Sequence, residues 1–329
     1  MRTYHQYNKC LLNPYEEIKM KIVLLDALTL GDSDLSVFDG LGELTVYQTT
    51  NAEQTAERLI GHDIVITNKV LITAQHIADN PTLKLICISA TGMNNVDLIA
   101  AEQAGVEVKN VSGYSTESVS QATFSLLFQL IHQSRYYDQY IAQKQWCDSP
   151  IFTHIERPFF ELKGKRWGIV GMGSIGQRVA QLAAAFGCDV CYYSTSGKNT
   201  QQSIPQVGLD NLLSECDIIS IHAPLNANTE NLISAPQLKN LKAGALIMNL
   251  GRGGIIDELA MANALETQDI YHATDVLAVE PMQDDHPYLS LKASHRLVVT
   301  PHTAWASVEA RKLLLDKVAD NIRGFSTRF

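Results

Sequence analysis

The stretch RWGIVGMGSIGQRVAQLAAAFG, Arg166 to Gly187, decides how the rest of the chain is read. A short apolar run ends at Gly171-Met172-Gly173-Ser174-Ile175-Gly176. Behind it, Ile175, Val179, Leu182, Ala183 and Phe186 fall on one face of a helix. A strand, a G-x-G-x-x-G turn and a helix, in that order, are the signature of a dinucleotide site. Gly171 permits the tight turn, Gly173 lets backbone approach a pyrophosphate, and Gly176 packs the helix close to the strand. The pyrophosphate would meet free N–H groups and the positive end of the helix dipole. The hexapeptide alone is a weak signal; its two flanks make it specific.

Such a turn usually has Asp or Glu about 20 residues on, bonded to the ribose 2′-OH. Here the second strand runs out near Tyr193-Ser194, in CYYSTSGKN. Asp189 lies at the wrong end of that strand, and Asp210 is inside the following unit. The adenosine end would instead meet Ser194, Thr195, Ser196 and Lys198. A serine suits the 2′-OH of NAD, while hydroxyls and an ammonium suit the 2′-phosphate of NADP. The same residues also make an ordinary polar turn. Both NAD and NADP stay open.

Outward from this point the chain alternates. KIVLLDA, LTVYQ, HDIVIT, LKLICIS and VEVKN read as strands ahead of it. RWGIVG, DVCYY, DIISIHA, ALIMNL, YHATDV and RLVVT read as strands from it onward. Helical stretches separate them, so the expected class is α/β with two Rossmann-like domains of parallel sheet. Between the two series, residues 116–146 read as one long helical stretch that packs on the core, links domains or covers a dimer interface. The last helix is apolar at helical spacing from Val308 through Leu314, Val318 and Ile322. Residues 1–19 are polar and aperiodic, which predicts a disordered extension or an upstream start ahead of Met20.

At 329 residues the chain has room for two domains, and a net charge of −9 without a basic run argues against nucleic acid and anionic membrane partners. No apolar run is long enough to cross a bilayer, and the N-terminus lacks a signal peptide's apolar core. The cytoplasm is the expected compartment. Cys188 and Cys191 form a C-x-x-C, but no second pair completes a zinc site, so small core packing is expected and no metal.

Three further stretches end strands of the second series. MNLGRGGIIDE places Arg252 in a glycine-rich loop, ATDVLAVEPM places Asp275 at a strand end with Glu280 beyond it, and VVTPHTAWAS places His302 past the last strand. The C-terminal edge of such a sheet is where ligands bind. Singly each residue reads as structural; together on one edge they suit the reduction of a 2-oxo acid. An arginine fork suits the carboxylate.

With these motifs in order, the chain resembles the D-2-hydroxyacid dehydrogenase family, in its glycerate dehydrogenase (hydroxypyruvate reductase) branch. The likeness runs over roughly residues 20 to 325 and also rests on TGMNNVDLIAAEQAGVEVKNVSGYSTESVSQATFSLL and SIHAPLNANTENLI. It implies that Arg252 binds substrate, that His302 is the acid/base and that Glu280 pairs with it, favouring the charged imidazole. Asp275 would lie near the nicotinamide carboxamide, and the backbone of Thr91 and Gly92 would bind the substrate carboxylate. His222, Ala223, Pro224, Thr229, Leu250, Gly251 and Ala304 would line the cofactor site. The resemblance also implies a homodimer through the cofactor domain and a discontinuous substrate domain, 20–115 plus 304–329, around a dinucleotide domain, 116–303. A glutamate beside the histidine argues against the formate dehydrogenase relatives, which use glutamine. The chain stops at FSTRF, shorter than the tail of many relatives, so C-terminal contacts are expected to be reduced.

Two alternatives accompany this reading. One keeps the mechanism with another acid, of D-lactate, phosphoglycerate or branched-chain type. The other is a dinucleotide-sensing binding protein like the corepressors of this fold, weakened by the lack of an obvious docking extension.

Overall fold

A computed structural model describes residues 19–199 and 203–327; the residues ahead of Lys19, and the reading of them as an extension, lie outside the described residues. The chain divides into two compact units. One takes the chain up to Ser112 together with the part from Lys312 onward; the other is Gly113–Arg311.

In the first unit the strands are β1 (Lys21–Leu24), β2 (Glu43–Val46), β3 (Ile64–Thr67), β4 (Leu85–Ile88) and β5 (Glu107–Lys109). They pair in parallel in the order β2-β1-β3-β4-β5. β3 and β4 are buried at every position, as strands covered on both faces must be. The helices between them are α1 (Ala52–Leu59), α2 (Ala74–Ala78) and α3 (Leu98–Gln103). Each has a side-chain cap on its first turn, from Asn51, Thr73 and Asp97.

The second unit opens with α4 (Thr116–Ile131) and α5 (Ser134–Ala142). The single stretch expected over 116–146 is therefore two helices. Gln133 adopts a left-handed backbone, φ 51°, that no continuous helix can hold. There follow β6 (Arg166–Val170), α6 (Ser174–Ala185), β7 (Asp189–Tyr193), α7 (Leu209–Glu215), β8 (Ile218–Ile221), α8 (Ala235–Lys239), β9 (Ala245–Asn249), α9 (Glu258–Thr267), β10 (Ile270–Thr274) and β11 (Leu297–Val299). All pair in parallel, in the order β11-β10-β9-β8-β6-β7.

Strand alternation divides this sheet's core into two clusters. Val170, Ile219, Ile221, Ala245 and Ile247 join one with residues of α7, α8 and α9. Trp167, Ile169, Ile218, Leu246 and Met248 join the other with residues of α4 and α6. Trp167 is fully buried, and its indole N–H donates to Ser220 Oγ at 2.9 Å. The last helix, α10 (Val308–Ser326), crosses the division at Lys312. Leu314, Val318 and Ile322 are fully buried, whereas Val308 is exposed. The sequence puts the return to the first domain at Ala304; the compact units part inside α10.

Candidate active site

In the six-stranded sheet the order reverses between β6 and β8, since the chain goes from β6 outward to β7 on one side and from β8 outward to β11 on the other. Ligands of doubly wound sheets bind at such a point, beyond the carboxyl ends of the strands. Gly171 ends β6 with φ 95°, a backbone only glycine adopts readily, and a Cβ there would lie 2.9 Å from the Ala223 nitrogen. A Cβ at Gly251 would come within 2.6 Å of the Ala223 oxygen, and one at Gly176 would overlap the Gly171 carbonyl. The turns after β6, β8 and β9 thus close on one another backbone to backbone.

Gly173 differs from its neighbours: a Cβ there would meet nothing within 4 Å. Its side chain is not excluded by protein, so the space it leaves open is available to a ligand. Among the described residues no side chain caps α6, which begins at Ser174, so its first N–H groups, through Ile175 and Gly176, open toward that space. His222 follows β8 with both ring nitrogens buried and without a partner among the described residues, and burial pushes its imidazole down to about 3, so it is neutral. An uncapped helix terminus, open room at Gly173 and an unpartnered neutral histidine fit a dinucleotide pyrophosphate.

The Gly171 N–H donates to Tyr193 O at 3.0 Å, which brings the start of the Ser194–Lys198 turn beside the glycine turn. Ser194 and Thr195 are half-buried, Ser196 and Lys198 are exposed, and the Lys198 N–H donates to Ser196 Oγ at 3.2 Å. Thr229 is not brought to the same edge as a donor. It is fully buried, and its hydroxyl donates to Pro224 O at 2.7 Å while accepting from Asn226 N–H at 2.8 Å. Leu250 is buried, and its N–H donates to Ile221 O.

The loops after β9, β10 and β11 carry the remaining residues. Asn249 shapes the first: its Nδ2 donates to Arg252 O at 2.8 Å and its Oδ1 accepts from Gly251 N–H at 3.0 Å. Arg252 is half-buried, with one guanidinium nitrogen on Gly251 O. His302 Nδ1 lies 2.7 Å from Glu280 Oε2, and Glu280 Oε1 accepts from Leu277 N–H at 2.9 Å. His302 has φ 54°, a left-handed conformation that costs on the order of 1 kcal/mol or more for a non-glycine residue. Asp275 holds it there. Its buried carboxylate accepts from Thr300 Oγ1 at 2.6 Å and from the N–H groups of Thr303 and Ala304, each at 2.9 Å. Burial raises the Asp275 carboxyl above its usual range, against these hydrogen bonds and the nearby His302. Ser118 of α4 adds a bond of 2.6 Å to Ala304 O.

Thr91 and Gly92 lie in the first unit, in the loop after β4. Thr91 Oγ1 donates to Val111 O at 2.9 Å, and Asn110 Nδ2 donates to Thr91 O at 2.6 Å. Among the described residues, the Thr91 and Gly92 N–H groups donate to no protein acceptor.

Asp275 carries no mark in the sequence as the anchor of the His302 turn, because the bonds join residues that only the sheet brings together. The C-x-x-C spacing does not bring its two thiols together. Cys188 and Cys191 stand three apart across the start of β7, so they face opposite sides of the sheet. Cys191 packs instead against Cys216, Sγ to Sγ 3.5 Å, and Cys188 is half-buried against Leu162 O. Among the described residues no group of histidines, cysteines and acids is placed to hold a metal.

The fold and the glycine turn define a dinucleotide-binding α/β protein. Residues 124–304 match the family model for the D-isomer specific 2-hydroxyacid dehydrogenase, NAD binding domain. A hydroxypyruvate reductase of Blautia hydrogenotrophica is 35% identical, over 93% of this chain and 97% of its own. A glycerate dehydrogenase of Methylorubrum extorquens is also 35% identical, over 93% of this chain and 96% of its own. Among solved structures, an acyclic imino acid reductase in complex with NADPH and D-Arg superposes with a TM-score of 0.83 at 29% identity, covering 94% of this chain and 98% of that one. The chain belongs to the D-2-hydroxyacid dehydrogenase family. It is an oxidoreductase whose cofactor is a nicotinamide dinucleotide.

Proposed function

We propose that the chain interconverts a small 2-oxo acid and its D-2-hydroxy acid, hydroxypyruvate or glyoxylate first among them, with His302 as the acid/base. The observation that carries this reading is the 2.7 Å contact between His302 Nδ1 and Glu280 Oε2, on the same sheet edge as the uncapped start of α6. An ionised Glu280 only accepts, so Nδ1 bears the proton it donates and Nε2 is left for the substrate. In reduction, Nε2–H protonates the oxygen of the 2-oxo group; in oxidation the same nitrogen removes the hydroxyl proton. The Arg252 fork matches a carboxylate and offsets charge developing on the oxygen. In the first unit, the Thr91 and Gly92 amides meet no protein acceptor among the described residues and suit an anionic group such as a carboxylate.

A bound nicotinamide would supply or accept the hydride at the 2-carbon. Gly171, Gly173, Ser174, Ile175 and Gly176 would hold the pyrophosphate, with His222, Ala223, Leu250 and Gly251 along its path and Asp275 and Ala304 toward the carboxamide. Hydroxypyruvate is favoured by the names of relatives at 35% identity over nearly the whole chain. NADPH is favoured alongside NADH because no acid stands at Ser194 and because the imino acid reductase was solved with NADPH. A second copy of the chain is the expected partner: Ile151, Phe152 and Ile155 of the second unit are exposed to 58%, 88% and 76%. The cytoplasm remains the expected compartment; among the described residues no helix is long and apolar enough to cross a membrane.

Initial rates over a panel of 2-oxo acids, each with NADH and NADPH, test the reading. Reduction of hydroxypyruvate should lead, and His302→Ala should lower kcat by about 10² or more. Near-normal turnover by that variant on every acid would sink the assignment of the proton donor.

A further inference from the structure

The turn that carries Glu280 is held by a second carboxylate–histidine pair, built like the first. Glu258, at the start of α9, accepts from Ala278 N–H through Oε1 at 2.6 Å and meets His286 Nε2 through Oε2 at 2.9 Å. Glu280 accepts from the adjacent amide, Leu277 N–H, through Oε1 and meets His302 through Oε2. Two carboxylates therefore bond successive amides of one turn, and each gives its other oxygen to an imidazole. His286 is buried and Glu258 nearly so, with side-chain exposures of 8% and 16%. His286 Nδ1 accepts from Tyr288 N–H at 3.2 Å, which leaves Nε2 to carry the proton donated to Glu258. On its other side the turn lies against the arginine loop, since a Cβ at Gly253 would overlap the Leu277 carbonyl.

We infer that Glu258, oriented by His286, is a positioning residue that sets the 277–280 turn and through it the approach of Glu280 to His302. The inference rests on the reading of His302 and Glu280 as the proton-transfer pair. Glu258 bonds Ala278 and His286 rather than either of them. It acts by fixing the Ala278 amide next to the Leu277 amide that Glu280 itself binds. With Glu258 truncated, the buried His286 loses the acceptor of its Nε2–H, the exposed Ala278 N–H loses the carboxylate that fixes it, and the turn is free to shift. A shift of about 1 Å in a catalytic group costs up to about 10² in rate.

The test is steady-state reduction of hydroxypyruvate by the full-length protein carrying Glu258→Ala, Glu258→Gln or His286→Asn, with a thermal melt of each. Glu258→Ala should lower kcat by about tenfold or more while KM for the 2-oxo acid stays within about twofold, because Arg252 keeps its own support from Asn249. Glu258→Gln keeps an acceptor for Ala278 and should recover most of that loss. His286→Asn keeps an acceptor for Tyr288 N–H but does not reach Glu258, and should lower kcat in the same direction by a smaller factor. A folded Glu258→Ala protein with kcat within twofold of wild type overturns the inference. So does a loss that Gln fails to recover, which would mark a merely structural role. Should Glu258→Ala fail to fold, His286→Asn decides alone: a fall in kcat at constant KM supports the inference, and an unchanged kcat overturns it. His302→Ala and Glu280→Ala run alongside separate the two readings. If they too retain turnover, the proton-transfer assignment has failed; if they collapse while Glu258→Ala does not, this inference has.

Discussion

Gly173→Ala should weaken dinucleotide binding and leave the fold intact, while Gly176→Ala, three residues on in the same turn, should destabilise the fold. Gly173 has φ −76° and ψ −168°, a backbone that alanine adopts freely, and its Cβ would enter empty space. Replacing glycine at such a position is neutral to stabilising by about 0.4–1 kcal/mol, so the melting temperature should hold or rise by roughly 1–4 °C. That empty space is where a pyrophosphate oxygen would have to come within about 3 Å of the backbone to bond it. A methyl there displaces the oxygen and removes at least one hydrogen bond to a charged group, about 1.5–3 kcal/mol, or about 10- to 150-fold in Kd. Gly176→Ala instead drives its methyl into the Gly171 carbonyl. Overpacking of this kind costs about 1–3 kcal/mol, and the melting temperature should fall by roughly 2–12 °C. The assays are a thermal melt without cofactor and a fluorescence titration with NADH and with NADPH. A folded Gly173→Ala protein that binds both with wild-type Kd would refute the placement of the pyrophosphate.

Ser194→Asp should raise the preference for NADH over NADPH by repelling a 2′-phosphate; an unchanged ratio of kcat/KM values would place the adenosine end elsewhere. Asp275→Asn should lower kcat by about tenfold or more with little change in secondary structure, because its amide cannot accept from Thr303 and Ala304 together and a buried N–H is left unpaired. Turnover at the wild-type level would show that His302 keeps its backbone without that anchor. Asp217 gives a pH test. Burial raises its carboxyl, but Lys242 Nζ at 2.6 Å and the Arg166 N–H at 2.9 Å outweigh it and hold the group below its usual range. A lowered folded pKa contributes stability that is present above the unfolded value near 3.8 and lost as pH falls through the folded one. Asp217→Asn should therefore be less stable than wild type at neutral pH, and the gap should close on acidification below about pH 4. A gap independent of pH would remove the charge from the account.

The strands were legible because buried parallel strands are short apolar runs, and each run quoted from the sequence holds one strand of the structure. The glycine turn was legible because each of its three glycines answers a different steric demand. The break between α4 and α5 was not. Gln133 takes the left-handed conformation without glycine, asparagine or proline nearby to announce it. Arg252, Glu280 and His302 could be named because a histidine, an acid and an arginine at strand ends are unusual there. Glu258 could not, since an acid just after the capping residue Asp257 looks like ordinary helix-start chemistry. His286 stands between two acids and a proline, a sequence context typical of a surface turn. What hid them is that their partners are backbone amides of another loop, and sequence carries no mark of which amide a carboxylate will find.

That difference separates the two tasks of the acids on this edge. Asp275 bonds the amides of residues 303 and 304, Glu280 that of 277 and Glu258 that of 278, so each fixes a loop before it does anything else. Of the three, Glu280 alone also holds the histidine beside which a substrate oxygen would lie. The loops of this edge grip one another through backbone: Gly251 on Ala223, Gly253 on Leu277. Machinery set by backbone contacts tolerates a change of substrate side chain without a change of its own residues. Relatives named for different acids can therefore share the arginine, glutamate and histidine. Selection among the acids then has to come from groups facing the 3-carbon of the substrate, and substitutions on this edge should alter turnover of every 2-oxo acid by a similar factor.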